Sequence, residues 1–252
     1  YDIKDLKAVR TYENVAAMKS DTKLREGQHV KTKGYYSSGD GGHGEYVLVN
    51  DTELEEDNGS VHRLANGLRA KLIIEDYINI KQFGAYGDGS HDDTNYFKAF
   101  ATSSIGKLVV PDGDYILTDV IDFTNKIIIG NKNSTIKLTN QETSREHYIV
   151  LSGNIKIENI TFEQLIPTTK TIGLINCSNG VLRNCKTILG DNLTSGSELD
   201  LYSNNQNILI DNCIFDFKSY RDGNNGTGGI WVREHDSTKI TKNITFNNCY
   251  IS

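Results

Sequence analysis

From His147 onward the chain alternates apolar and polar residues in short runs that stop and return. NIKIENITF begins at Asn154, NGVLRNCKT at Asn179, NILIDNCIF at Asn207 and NITFNNCYI at Asn243. A period of two marks strands. In every copy a second Asn follows five positions after the first, at Asn159, Asn184, Asn212 and Asn248, giving intervals of 25, 28 and 36 residues. Repeats of this length, with two short strands around an Asn, are coils of a parallel β-solenoid. Asn enters the left-handed conformation that a tight corner demands, and its amide can bond to the Asn of the next coil. The residue after it is Ile160, Cys185, Cys213 or Cys249, a column of apolar side chains that belongs inside. A further alternating run precedes each copy: HYIVLS from His147, GLINCS from Gly173, SELDLYS from Ser197 and GIWVRE from Gly229. Three strands per coil follow. The expected fold is all-β dominated, a right-handed parallel β-helix over residues 77–252.

Residues 1–76 lack the repeat and are expected to form a small α+β module. Thr11 is placed to cap a short helix running through Met18. QHVKTKGYY, EYVLVN from Glu45 and LRAKLIIED from Leu68 are strands, with a glycine-rich loop at 38–44 and a solvated loop from Asp51 to Ser60. Gly42-His43-Gly44 resembles the GHG of polygalacturonase active sites. There it lies within the β-helix, downstream of paired aspartates. Here it precedes the helix beside Asp40, so its glycines are read as turn residues.

Composition narrows the function. The net charge of −6 makes a nucleic-acid surface improbable, and any anionic glycan must be bound locally. All four cysteines (Cys177, Cys185, Cys213, Cys249) fall in the repeats, three at one repeat position, which argues for buried thiols over disulfides or a metal site. No apolar run reaches membrane-spanning length and no signal peptide opens the chain. Tyr1 stands where Met is expected, and Ser252 follows the last ladder Asn with nothing to cap the stack, so a fragment of a longer protein is expected.

INIKQFGAYGDGSHDDTNYFKAF from Ile78 and LVVPDGDYIL from Leu108 resemble the opening signature of the pectate-lyase-like superfamily, shared by many phage tail spikes. INIKQF is an alternating strand. Asp92 or Asp93 caps a helix carrying Phe97, Phe100 and Ala101, which would plug the mouth of the solenoid. Asp88, Asp92 and Asp93 are read as loop and cap residues. TYENVAAMKSDTKLREGQHVKTKGYYSSGDGGHGEYVLV from Thr11 is similar to the virion-proximal module of phage tail or neck appendages, nearest to those of short-tailed Bacillus phages. The resemblance implies a virion protein acting at the host cell surface. Its partners would be a surface glycopolymer and collar or tail proteins, and the full-length form would be a homotrimer with outer positions such as Val150 sheltered. Superfamily members include lyases, hydrolases and inert scaffolds.

Alternation points Leu199, Leu201, Ile230 and Val232 inward. Glu198, Asp200, Tyr202, Trp231 and Arg233 then face outward on neighbouring coils, with Asn176 below and Glu234 at the strand end. Two long interruptions, containing Asp191 and Asp222, flank these strands and could wall a groove. Glu198, Asp200, Asp191, Asp222 and Glu234 are the candidate catalytic carboxylates. Adjacent coils place such groups within the separations at which carboxylate pairs cleave glycosidic bonds, roughly 5–9.5 Å. Glu198 and Asp200 share one strand face, where like charge should raise the proton affinity of one of them. Trp231, Arg233, Tyr202 and Asn176 are the candidate substrate-binding residues, Trp231 for stacking and Arg233 for an anion. No metal site is assigned. A teichoic-acid phosphodiester would admit a metal-assisted route, for which Ca²⁺ is the candidate. Glycopolymer hydrolysis leads, with a binding-only adhesin and a pectate lyase or polygalacturonase as the alternatives.

Overall fold

The computed structural model describes residues 9–139, 147–165, 170–189, 197–216, 229–233 and 240–251. Its N-terminal part comprises β1 (Arg10–Tyr12), α1 (Val15–Ser20), β2 (His29–Thr32), β3 (Gly44–Val49), β4 (Val61–Arg63) and β5 (Arg69–Leu72). These strands form one sheet in the order β1-β2-β3-β5-β4, parallel only between β1 and β2. The helix is shorter than the sequence predicts, and its cap is Asn14, whose side-chain oxygen accepts the Ala17 N–H at 2.8 Å. Thr11 is instead a strand residue paired with Lys31. Sheet pairing commits its backbone, so the helix begins at the next residue able to cap.

The glycine-rich loop is organised by Asp40, whose carboxylate accepts N–H bonds from Tyr35, Tyr36, Ser37 and Gly42. Those bonds hold its carboxyl below the usual range against the opposing effect of burial. His43 is exposed and uses its carbonyl to accept from Gln82. The Gly42-His43-Gly44 run is thus a loop-and-junction element.

The second part begins with β6 (Ile78–Asn79), where the expected strand INIKQF is cut short. A 3-10 helix over Ile80–Phe83 takes over because Asn79 and Gln82 form a reciprocal cap: Lys81 N–H donates to Asn79, and Asn79 N–H donates to Gln82. The turn buries both Ile80 and Phe83. After β7 (Asp88–Asp92), α2 (Thr94–Thr102) sets Phe97 and Phe100 against Tyr115 and Phe123, closing the end of the core. Asp93 is its N-cap residue, yet its carboxylate accepts from Tyr86 and Gly87 in the preceding loop, while Asp92 accepts from Thr94. Burial pushes the Asp93 carboxyl up to about 6, and backbone donors hold that of Asp88 far below its ordinary value.

The coils follow as β8 (Lys107–Val110), β9 (Gly113–Leu117), β10 (Ile121–Thr124), β11 (Ile127–Gly130), β12 (Ser134–Leu138), β13 (His147–Glu158), β14 (Thr161–Gln164), β15 (Lys170–Arg183), β16 (Lys186–Leu189), β17 (Ser197–Tyr202), β18 (Gln206–Asp211), β19 (Ile214–Asp216), β20 (Ile230–Arg233), β21 (Lys242–Asn247) and β22 (Tyr250–Ile251). All pair in parallel with neighbouring coils, the strands at the ends of each face on one side only, giving the β-helix its three faces. The first carries β10, the head of β13, the head of β15, β17 and β20. The second carries β6, β8, β11, the tails of β13 and β15, β18 and β21. The third is the seven-stranded sheet from β7 to β22.

Inside, columns of like residues stack, as in Phe123–Leu151–Leu174–Leu201–Val232. Each fully buried aliphatic side chain contributes roughly 1.5–3 kcal/mol. Val232 continues this core column but is 57% exposed, as are Phe246 (41%) and Ile251 (57%) on the other faces. The inward placement expected for Val232 needs a covering coil, and none lies among the described residues. Asn159, Asn184, Asn212 and Asn248 all have φ between 50° and 60°, as the corner requires. Asn184 donates to Asn159 at 2.9 Å and Asn212 to Asn184 at 2.8 Å. The thiols of Cys177, Cys185 and Cys213 are buried and form no disulfide, each donating to a main-chain carbonyl, and burial pushes Cys177 up to about 12.

Two stability predictions follow from corner and module. Asn184→Ala combines left-handed strain with loss of the amide rung, about 2 kcal/mol together, read as a lower urea midpoint. Asn184→Gly relieves the strain alone and should recover roughly half; equal midpoints for the two variants would refute the strain, and a wild-type midpoint for Asn184→Gly would refute the ladder's contribution.

His62 is buried with neither ring nitrogen bonded, and burial, aided by the Lys19 charge, pulls its pKa from 6.5 to about 4. Its neutral form is the folded form. The contribution is therefore complete above pH 6.5 and is lost as pH falls towards 4, by about 3 kcal/mol. Urea titrations of wild type and His62→Phe at pH 7 and pH 4 should show that difference; parallel curves would refute it.

Candidate functional site

The first face owes its chemistry to strand alternation. Leu199 and Leu201 are buried inward, so the residues between them point out. The outward column runs Asp122–Val150–Gly173–Asp200–Trp231, one residue per coil. Beside it, Ile175, Tyr202 and Arg233 form a second column.

Asp200 does not sit open to solvent as the sequence predicts. It is 0% exposed and its Oδ2 lies 2.9 Å from Nε2 of His147, itself buried. With Asp200 as a carboxylate, Nε2 donates this bond. His147 heads β13, in register with Lys170 and Ser197, and thus lies two coils before β17. Gly173 lies on the coil between and makes the bridge possible. A Cβ there would come within 2.4 Å of His147 Cδ2. The Tyr202 ring stands 6.4 Å from the imidazole, and the half-buried Trp231 is the next residue in the column above Asp200.

Sequence reasoning missed His147 and the role of Gly173. The signal was available: alternation sets Gly173 as a gap in an outward column between two side chains. The partner across that gap, 53 residues away, is not legible from spacing.

The other expectations separate cleanly. Glu198 lies on β17, two residues before Asp200, and Arg233 pairs with Tyr202 in backbone register. The side chains of both lie outside what the structure describes. Asp191, Asp222 and Glu234 also lie outside the described residues. Asn176 is exposed at the end of the first face, with φ 55° and its N–H donating to Ser203, which makes it a corner residue. Among the described residues no three His, Cys, Asp or Glu side chains converge, so no ligand set for Ca²⁺ is assigned.

Residues 77–251 match the family described as rhamnogalacturonase A/epimerase, pectate lyase-like. The chain belongs to this family. Residues 11–75 of this pectate-lyase-like chain match the phage tail protein small four-stranded β-sheet domain; here the sheet has five strands, counting the short β1. No curated protein matches the sequence. Among solved structures, the gp42 tailspike of Acinetobacter phage vb_AbaP_AS12 is similar over 83% of this chain and 40% of its own, with 16% identity and a TM-score of 0.64. Two further similarities are weaker. Tailspike gp49 of Acinetobacter baumannii bacteriophage Fri1, described as a capsular polysaccharide depolymerase, has 13% identity and a TM-score of 0.37, over 96% of this chain and 62% of its own. ORF18 of Geobacillus virus E2 has 16% identity and a TM-score of 0.43, over 96% and 54%. The chain spans 40–62% of the length of these three structures.

The Gly173 gap yields a test. Gly173→Ala should displace the imidazole and break the His147–Asp200 bond, seen as a changed ¹⁵N signature of His147 and a lowered Tm. An unchanged imidazole spectrum in the folded variant would show that the gap is not needed.

Proposed function

We propose that this chain is part of a phage tail-spike appendage that adsorbs to a bacterial surface glycopolymer and degrades it on the face of β13, β15, β17 and β20. A phage tail domain leading into a pectate-lyase-like β-helix supports the placement on the virion, acting at the host surface. The observation that carries the site is the buried His147–Asp200 pair beneath Trp231 on the outward side of that face.

In this reading Asp200 orients His147, as a buried carboxylate fixes the tautomer and ring plane of an imidazole. Glu198, on the same strand, is the acid that protonates the departing oxygen as water adds to the sugar carbon, the water's proton then restoring the acid, and Trp231 supplies the flat surface on which a sugar ring lies. The polymer is a capsular polysaccharide or a teichoic acid. The full-length protein is a homotrimer joined to collar or tail proteins through residues 1–76, and residues 77–252 are its β-helix.

A second reading rests on the complete burial of Asp200, which suits a structural lock in a binding-only adhesin. Incubation with purified capsule and wall teichoic acid, with and without Ca²⁺, separates the two by product size. Cleavage is expected. Glu198→Gln and Asp200→Asn should each lower it by about 10²-fold, and Trp231→Ala should chiefly raise KM. Saturable binding without shortened chains on either polymer would favour the adhesin, and activity confined to polygalacturonate would favour a pectin enzyme.

A further inference from the structure

The repeat contains a second asparagine column that does not form the Asn159–Asn184–Asn212 corner. Asn179 donates its side-chain amide to Asn154 at 2.7 Å, Asn207 to Asn179 at 3.3 Å and Asn243 to Asn207 at 3.0 Å. At its foot, Asn125 Oδ1 accepts the backbone N–H of Asn154 at 2.8 Å. The carbonyl ends of Asn125, Asn154 and Asn179 thus each accept a bond within the protein. The amide NH₂ groups of Asn125 and Asn154 have no acceptor among the described residues.

Those two groups open into a hollow of about 710 Å³ between the first and second faces. Lys107, Lys156 and Asp76 also line it. The Lys107 ammonium is paired with Asp76 and lies 5.7 Å from the centroid of the Tyr77 ring, which is 51% exposed. Lys156 projects from β13 and meets Glu158 at 3.0 Å. The hollow therefore presents two ammonium groups, each paired with one carboxylate (Asp76 and Glu158) but keeping further N–H donors, together with two unspent amide donors, beside an aromatic ring.

A donor excess of this kind suits a ligand made of acceptors, and the ring suits the apolar face of a polyol or sugar. The protein's net charge of −6 repels a polyanion at long range, so a polyanion needs local donors, which the remaining N–H groups of the two lysines and the two amides supply. The volume accommodates one or two sugar units, and the Asn column continues the amide track beyond it on Asn207 and Asn243.

We propose that this groove binds an acidic unit of a surface polymer, an anion carried on a polyol or sugar chain, as a contact site separate from the His147–Asp200 face. The anion sits between Lys107 and Lys156, its neighbouring hydroxyls accept from Asn125 and Asn154, and Tyr77 covers one side. The site acts by binding alone and stands whether or not the other face cleaves.

The test follows the Asn side-chain amides of the whole chain by ¹H–¹⁵N NMR during titration. A glucuronate tetrasaccharide carries the anion as carboxylate, a glycerol-phosphate tetramer carries it as phosphate, and the carboxyl-reduced tetrasaccharide is the neutral control. At least one acidic probe should shift the Asn125 and Asn154 amides saturably, and which one does so names the source of the anion. The neutral control should bind at least tenfold more weakly, and Lys107→Gln with Lys156→Gln should weaken the acidic probe by a similar factor. Should the double variant fail to fold, Lys156→Gln alone, at an exposed side chain, should still weaken binding severalfold. Silence of these amides to both acidic probes, equal response to the neutral control, or wild-type binding by a folded lysine variant would each overturn the proposal.

Discussion

Everything in the β-helix depends on parallel coils stacking at one register. Each strand pairs with its counterparts in neighbouring coils, so a residue's neighbours are the same repeat position one turn away. Backbone hydrogen bonds set the spacing, and the corner asparagines hold it by adopting φ near 55° and passing an amide bond to the next coil. Break the register and the Phe123–Leu201 core column, the Gly173 gap and the amide foot at Asn154 are lost together. Long-range pairing of this kind makes separate parts of the sequence into one surface without any one segment containing a site.

The two surfaces described above use that register differently. On the first face it brings His147 and Asp200 together across a coil that supplies only a glycine, producing a buried polar pair in an otherwise solvated exterior. At the Asn154 corner it lines up amides whose carbonyl ends accept bonds internally, leaving donors outward. One surface is defined by burial and the other by unspent hydrogen-bonding capacity. The N-terminal sheet contributes to neither pair directly. It meets the β-helix through bonds such as Tyr36 to Gly84 and Gln82 to His43.

How much of this was legible in the sequence varies by the range of the interaction. The ladder positions, the strand heads and the inward Cys column could be read directly, because they depend on local alternation and on the tolerance of Asn for a left-handed corner. The plugging helix was legible for the same reason. Thr11 and INIKQF were misread where a neighbour's pairing or a reciprocal cap overrode local pattern. Outward orientation of Asp200 was legible, but its burial was not. Alternation tells which way a side chain points, whereas exposure depends on what other coils place above it, and His147 lies 53 residues distant.

The ladder bonds connect residues separated by 25, 28 and 36 positions, yet their lengths stay between 2.7 and 3.3 Å. The number of residues in a turn of the helix is therefore decoupled from its pitch. An insertion between strands lengthens what protrudes from the side and leaves the next rung where it was. Loop residues can be added or deleted, or whole turns exchanged, with no compensating change required in the core.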